Sequence, residues 1–326
     1  MDGQHPPCPH LPTLRDHRAR RKELKTSLIY LHEYLRDTFV LMLQKELETA
    51  MALARDAGKA ILEIYATDFA SEQKLGADNF SEPVTAADKR ASRIIVDGLE
   101  AAFPDDATLS EEENDDAASR LSNKRVWIID PLDGTAGFVK RDGDFGVQIG
   151  LAVDGVPVLG VVYLPFHDIL SYAVKGEGSW TIANGGEPEQ MKTSDKDDLS
   201  DLTMAMSRDH PSSRMGRIME YFGIANKVNR GSVGLKVGLI ADQSCDIYIH
   251  PSPRTKLWDT CAPQIILEEA GGRFTDLFGF EMRYDRADLQ NRNGILATNG
   301  AAHALAVEKL KPLLVEFGRV PYESES

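Results

Sequence analysis

Cysteine is scarce: Cys8, Cys245 and Cys261 are the whole supply in 326 residues. Three thiols so far apart build neither a disulfide framework nor a CxxC knuckle, and a reducing cytoplasm is the expected location. Basic charge is also short, with 37 Lys and Arg against 51 Asp and Glu and a formal net charge of −14. A surface of that sign repels nucleic-acid polymers and anionic membranes, which excludes both as main partners. Long apolar runs are missing as well. The basic cluster Arg18, Arg20, Arg21 and Lys22 is followed by Thr26, Ser27, His32, Glu33, Arg36 and Asp37, so neither a signal peptide nor a membrane span is expected.

What is present is a globular composition, 42% hydrophobic, in a chain long enough for two ordinary domains or one large layered unit. Residues 1–22, rich in Pro, His and Arg, read as a disordered leader. From about Leu24 to Tyr65 the pattern is helical, with Leu41, Leu43, Leu47, Ala50, Leu53, Ala54, Ala57 and Ile61 at spacings near three and four. A second helix follows Asp88, places Ala91, Ile94, Ile95 and Leu99 on one face, and stops before Pro104. Val126 to Ile129 is a buried strand that delivers Asp130 at its end. Gly146–Val153 and Val156–Leu164 form a hairpin around Asp154-Gly155, and Ile169–Val174 extends it.

The polar stretch 183–200 is expected to link two domains or to form an exposed loop. Beyond it, strands at Leu202–Met206, Ile247–Ile249 and Ile295–Thr298 alternate with helices at Ser213–Phe222, Leu235–Asp242, Thr260–Ala270 and Ala301–Phe317.

Four acidic signals are spread along this frame: Pro83-Val84-Thr85-Ala86-Ala87-Asp88, Ser110-Glu111-Glu112, Asp130-Pro131-Leu132-Asp133-Gly134-Thr135 and Trp258-Asp259. Two carboxylates straight after a buried strand cost on the order of several kcal/mol if left unpaired. Hard divalent cations remove that cost, and Mg2+ suits a site of oxygen ligands with little histidine. Such a cluster presents positive charge to a ligand, so a small phosphorylated substrate is compatible with an acidic protein. Gly134 permits a tight approach, and the turn after it can open a helix whose N–H groups face a phosphate.

The string Asp130 to Thr135, with Trp258-Asp259 and a helix ending Glu269-Ala270-Gly271-Gly272, resembles the signature pair of the inositol monophosphatase superfamily over roughly residues 46 to 315. The resemblance implies a layered αβαβα sandwich, with an α+β metal-binding domain over 46–182 and an α/β substrate domain over 183–326. Residues 1–45 form an extension outside it. It also implies that Glu112, Asp130, Asp133, Asp259 and the Leu132 carbonyl hold two or three Mg2+ ions, with Glu111 behind them. Asp88 and Thr135 would orient and deprotonate the attacking water, and Gly134, Thr135 and Asp259 would line the substrate.

Within the superfamily, Gly137-Phe138, Ser110, Ser207-Arg208-Asp209-His210 and Gly231-Ser232 followed by Leu235-Lys236 resemble the bacterial 3'(2'),5'-bisphosphate nucleotidases. Ser207, His210, Ser232 and Lys236 become candidates for substrate contact, with Ser232 and Lys236 facing a second phosphate. Ala136 departs from the Lys of many nucleotidases; Arg254 and Lys256 are candidates to restore positive charge at the rim. The implied activity is release of the 3'-phosphate of adenosine 3',5'-bisphosphate, a by-product of sulfate assimilation, with lithium sensitivity. Inositol 1-phosphate or fructose 1,6-bisphosphate hydrolysis is the alternative, and a non-catalytic phosphate-binding regulator is a third reading. Both monomer and homodimer are compatible with this sequence.

Overall fold

The computed structural model describes residues 43–75, 81–208 and 213–322. The leader expected over 1–22, the start of the first helix and His210 lie outside them. The chain divides into a unit up to Gln44 and one from Lys45 onward, and the architecture below is that of the second.

Residues 43–65 are helical (α1), and Ala50, Ala54, Ala57 and Ile61 are fully buried, as the three-and-four spacing dictates. A two-stranded antiparallel ribbon follows, β1 (Ser71–Leu75) with β2 (Ser81–Thr85). It runs directly into α2 (Ala86–Ala102), which buries Ala91, Ile95, Val96 and Leu99. After β3 (Ala107–Ser110) and the short α3 (Ala117–Ser122), β4 (Arg125–Asp133) delivers the acidic motif, and α4 (Thr135–Lys140) begins at its end.

Strands β5 (Gly146–Val153), β6 (Val156–Leu164) and β7 (Ile169–Val174) have the expected bounds, and Asp154 and Gly155 both take positive φ in the hairpin turn. Strands β8 (Ser179–Ala183) and β9 (Glu189–Met191) complete a seven-stranded sheet in the order β3-β4-β5-β6-β7-β8-β9. The stretch after residue 183, expected to be a linker or an exposed loop, is irregular for most of its length but contributes the three residues of β9 to the first sheet.

The second sheet has the order β11-β10-β12-β14-β13, from β10 (Thr203–Ser207), β11 (Asn226–Arg230), β12 (Ile247–His250), β13 (Arg273–Thr275) and β14 (Ile295–Thr298). Helices α5 (Ser213–Phe222) and α8 (His303–Glu316) pack on its outer face around Met204, Ile218, Phe222, Leu296 and Leu310. Helices α6 (Val233–Ala241) and α7 (Cys261–Glu269) lie between the sheets, where Ile128, Ala152, Val237, Ile265, Phe274 and Ala297 share one core. The layers run helix, sheet, helix, sheet, helix, as the resemblance implied.

The seat of α7 is made by two glycines. Gly150 and Gly160 are direct partners across β5 and β6. A Cβ on Gly150 would come within 2.7 Å of the Cys261 sulfur, and one on Gly160 within 2.6 Å of the Ala262 carbonyl. Bare backbone on the sheet is what lets the start of α7 lie this close.

Candidate metal and phosphate site

Side chains alternate along a strand, so residues three apart face opposite ways. Asp130 and Asp133 escape that rule through a bulge. Asp130 pairs with Gln148 and Asp133 with Gly146, so three steps on β4 match two on β5. Pro131, which has no N–H to donate, sits inside the irregularity. The Asp130 carboxylate accepts the Leu132 N–H at 3.0 Å, closing a local turn. As a result the two acids converge, and with Asp259 their oxygens lie within 4.8 Å of one another.

Asp130 is 1% exposed. Burial first, then the charges of Glu111, Asp133 and Asp259, hold its carboxyl well above the ordinary carboxylate range. The three acids form a convergent, oxygen-only set, and a hard divalent cation among them would offset the cost of ionising Asp130.

Asp133 is held from the other side. Its Oδ2 accepts the Gly234 N–H at 2.8 Å, the Ser232 hydroxyl at 2.5 Å and the Gln148 amide, while Oδ1 accepts the Val233 N–H at 3.1 Å. It thus caps α6 from outside the helix, with a negative charge at the positive end of the dipole. Asp259 lies on the turn before α7 and accepts the Lys256 N–H. Trp258 is half-buried against the central core, and the Lys256 ammonium sits 5.4 Å over its ring.

Beside the cluster is a Thr–Asp pair. Thr85 N-caps α2, and both its N–H and its hydroxyl donate to Asp88 Oδ2 at 2.7 Å. The Thr135 hydroxyl lies 3.0 Å from Asp88 Oδ1 and 3.1 Å from the Leu132 carbonyl, and its single proton serves one of them at a time. Burial pushes the Asp88 carboxyl up to about 6, and the bonds from Thr85 and Thr135 limit the rise. Gly134, at φ +91°, makes the turn between Asp133 and Thr135. A Cβ there would meet the Asp144 carbonyl at 2.6 Å.

The structure brings Asp88, Asp130, Leu132, Asp133, Gly134, Thr135 and Asp259 together. The two glutamates bear on different acids. β3 runs parallel to β4 with Ser110 opposite Ile129, and the Glu111 N–H donates to the Ile129 carbonyl. Glu111 is therefore the neighbour of Asp130, and its charge bears on that residue, whereas the charge of Glu112 bears on Asp88.

Ser232 and Lys236 also differ from the expected second-phosphate contacts. Ser232 is the N-cap of α6 and donates to Asp133; Lys236, 3% exposed, donates to the carbonyls of Gly231 and Ser232. Lys236 also lies 5.1 Å over the Tyr248 ring. Both side chains face the loop that holds Asp133. Ser207 ends β10 opposite Arg230 and is half-buried. Gln148, Asp142 and Asp144 read in the sequence as ordinary strand or loop polar residues, and Arg208 enters there only as a member of the Ser207–His210 string.

Fold and site together define a phosphatase with an acidic, cation-sized cluster. The chain belongs to the inositol monophosphatase family, which matches residues 42–314. It is 35% identical over 238 residues to the 3'(2'),5'-bisphosphate nucleotidase CysQ of Salmonella typhimurium, covering 73% of this chain and 93% of that one. It is 34% identical to the 3'-phosphoadenosine 5'-phosphate phosphatase of Mycobacterium bovis, over 72% of this chain and 81% of the relative. Among solved structures, CysQ from Bacteroides thetaiotaomicron superposes with a TM-score of 0.68 at 30% identity, over 80% of this chain and 99% of that one. The IMPase of Thermotoga maritima gives 0.70 at 27% identity, over 84% and 99%.

Proposed function

We propose that the protein releases the 3'-phosphate of adenosine 3',5'-bisphosphate, giving AMP and phosphate, with Mg2+ held by Asp130, Asp133, Asp259, Glu111 and the Leu132 carbonyl. The observation that carries this reading is the convergence of buried Asp130 and Asp133 with half-buried Asp259 next to the Thr135–Asp88 pair. Divalent cations bound there supply Lewis acidity toward the phosphoryl group and the attacking water.

The protein's own part is positioning and proton handling. The Thr135 hydroxyl donates to Asp88 Oδ1, which leaves its lone pairs to accept from water; as the water's proton passes to the Thr135 oxygen, the Thr135 proton passes to Asp88 Oδ1. Thr85, bonded twice to the other carboxylate oxygen, keeps Oδ1 pointed at Thr135. Asp133, fixed by four donors, cannot swing away from Asp130. Glu112 tunes Asp88 by its charge.

The substrate assignment rests on the two nucleotidase relatives, and the likeness to the IMPase keeps inositol 1-phosphate in the test. Lithium inhibition, a place beside sulfate assimilation and a cytoplasmic location belong to the same proposal.

The deciding experiment measures phosphate release with Mg2+ from adenosine 3',5'-bisphosphate, inositol 1-phosphate and fructose 1,6-bisphosphate, with Asp130→Asn as control. Preference for the nucleotide, abolished in the variant, is expected. Preference for a sugar phosphate would replace the substrate and leave the chemistry, while no release from any of them would return the non-catalytic phosphate-binding reading.

A further inference from the structure

Arg208 leaves the end of β10 and spans two carboxylates, donating from Nη1 to Asp142 Oδ2 and from Nη2 to Asp144 Oδ2, both at 2.6 Å. Asp144 is 2% exposed and its Oδ2 also accepts the Gly231 N–H at 2.9 Å. The Arg208 N–H donates to the Arg230 carbonyl, so this one residue touches both the 142–144 loop and the strand leading into Gly231.

Each end of this arrangement abuts the site. The Asp144 carbonyl lies where a Cβ on Gly134 or Gly137 would sit, at 2.6 and 2.7 Å, so it buttresses the turn that presents Thr135 to Asp88. Gly231 precedes Ser232, whose hydroxyl, with the N–H groups of Val233 and Gly234, fixes Asp133. Asp142 adds its own support, since its Oδ1 accepts the Asp144 N–H.

We propose that Arg208 is a positioning residue of the phosphatase site. It locks the Gly134–Thr135 turn, carried by the first sheet, against the Gly231–Ser232 turn, carried by the second, and thereby holds Thr135 and Asp133 in mutual register. An arginine near a phosphatase centre suggests a phosphate ligand, but both terminal nitrogens of Arg208 are already committed to carboxylates. The planar guanidinium fork can serve two carboxylates at once with directed bonds, which a lysine ammonium does poorly. The inference rests on the phosphatase reading only for its kinetic arm.

The test uses the full chain with Arg208→Gln, Arg208→Lys and, as a milder cut of one arm, Asp142→Asn. Amide hydrogen exchange is followed without added metal over segments 134–146 and 230–236, with α8 as control. Expected is faster exchange in both segments and none in α8. Kinetically, kcat should fall about 10- to 100-fold for adenosine 3',5'-bisphosphate and inositol 1-phosphate alike, the size usual for residues that orient metal ligands, with Lys intermediate. KM should stay within about twofold, because the loss is in alignment rather than grip.

Unchanged exchange in the two segments would overturn the proposal, as would a general rise that includes α8. So would a rise in KM confined to the bisphosphate with kcat intact, which would make Arg208 a substrate contact. If the wild type releases phosphate from no substrate, the substrate reading fails while the exchange arm still decides the strut.

Discussion

At the scale of single residues, Gly134 has little freedom to vary. Its φ of +91° and the 2.6 Å approach of the Asp144 carbonyl leave no room for a Cβ. Gly134→Ala is expected to cost about 1–3 kcal/mol of stability from the strained backbone and to abolish phosphate release, read by urea unfolding and by turnover. His303 is a different case. Buried at 9% exposure between the Thr275 and Thr298 hydroxyls, it has its pKa pushed down to about 4 by burial and by Arg273.

The folded state thus prefers the neutral ring, and the stability it contributes is complete above pH 6.5. It is lost as pH falls toward 4, because the unfolded chain binds the proton first. On the order of 2–3 kcal/mol should disappear across that window, and the urea midpoint of His303→Asn should depend less steeply on pH than that of the wild type. Glu268 has the opposite sign. Burial raises it to about 7, so its ionised form weighs on the fold above that pH. Glu268→Gln keeps an acceptor for the Gln264 amide and should unfold at a higher temperature than the wild type at pH 8, with the gain gone by about pH 4.5.

The same scale shows what could be read in advance. The acids and Thr135 were legible because chemistry demands those residue types in that order. The order of Glu111 and Glu112 was not, since only the parallel register of β3 on β4 decides which one stands beside Asp130. Ser232 and Lys236 are substrate candidates through the resemblance of Gly231-Ser232 and Leu235-Lys236 to the nucleotidases, and nothing in the string shows that an aspartate 99 residues earlier takes the hydroxyl.

At the scale of elements, long periodic segments were readable to within a residue or two: β5, β6, β7 and α5 match the expected bounds. Short or polar strands were not. β11 is Asn226-Lys227-Val228-Asn229-Arg230, an edge strand held by its ladder to β10 rather than by apolar burial, and β9 sits in the polar stretch that reads as a linker or an exposed loop. The glycine seat of α7 was invisible too, since Gly150 and Gly160 look like weak points in strands until their pairing is known. Gly160→Ala should push α7 off the sheet, destabilising the fold by about 1–3 kcal/mol as overpacking does. Because Asp259 stands just before α7, turnover should fall as well, measured as kcat beside the thermal midpoint.

At the scale of the whole molecule, the layered order of two sheets and three helical layers followed from the resemblance, while the limit of the first sheet did not. β9 lies past residue 183, so the polar stretch read as a linker or an exposed loop includes a short edge strand of that sheet. The acid cluster joins the two halves of the chain: Asp130 and Asp133 come from the first sheet, and Asp259 from the connection between the second sheet and α7. An ion gripped by all three favours the folded state by mass action, so at 100 times its dissociation constant it should add about 2.7 kcal/mol. Removing divalent ions with a chelator is expected to lower the thermal midpoint of the wild type but not that of Asp130→Asn.

That union of distant parts also bears on how the molecule comes into being. The span from Asp130 to Asp259 must be synthesised and both sheets docked before the last carboxylate arrives. On the proposed ligand set, a nascent or half-folded chain would therefore lack a high-affinity place for the ion, and phosphate release would begin only when assembly is complete. Cation uptake followed in time during refolding would then act as a clock for the final docking event, later than the gain of helix and strand.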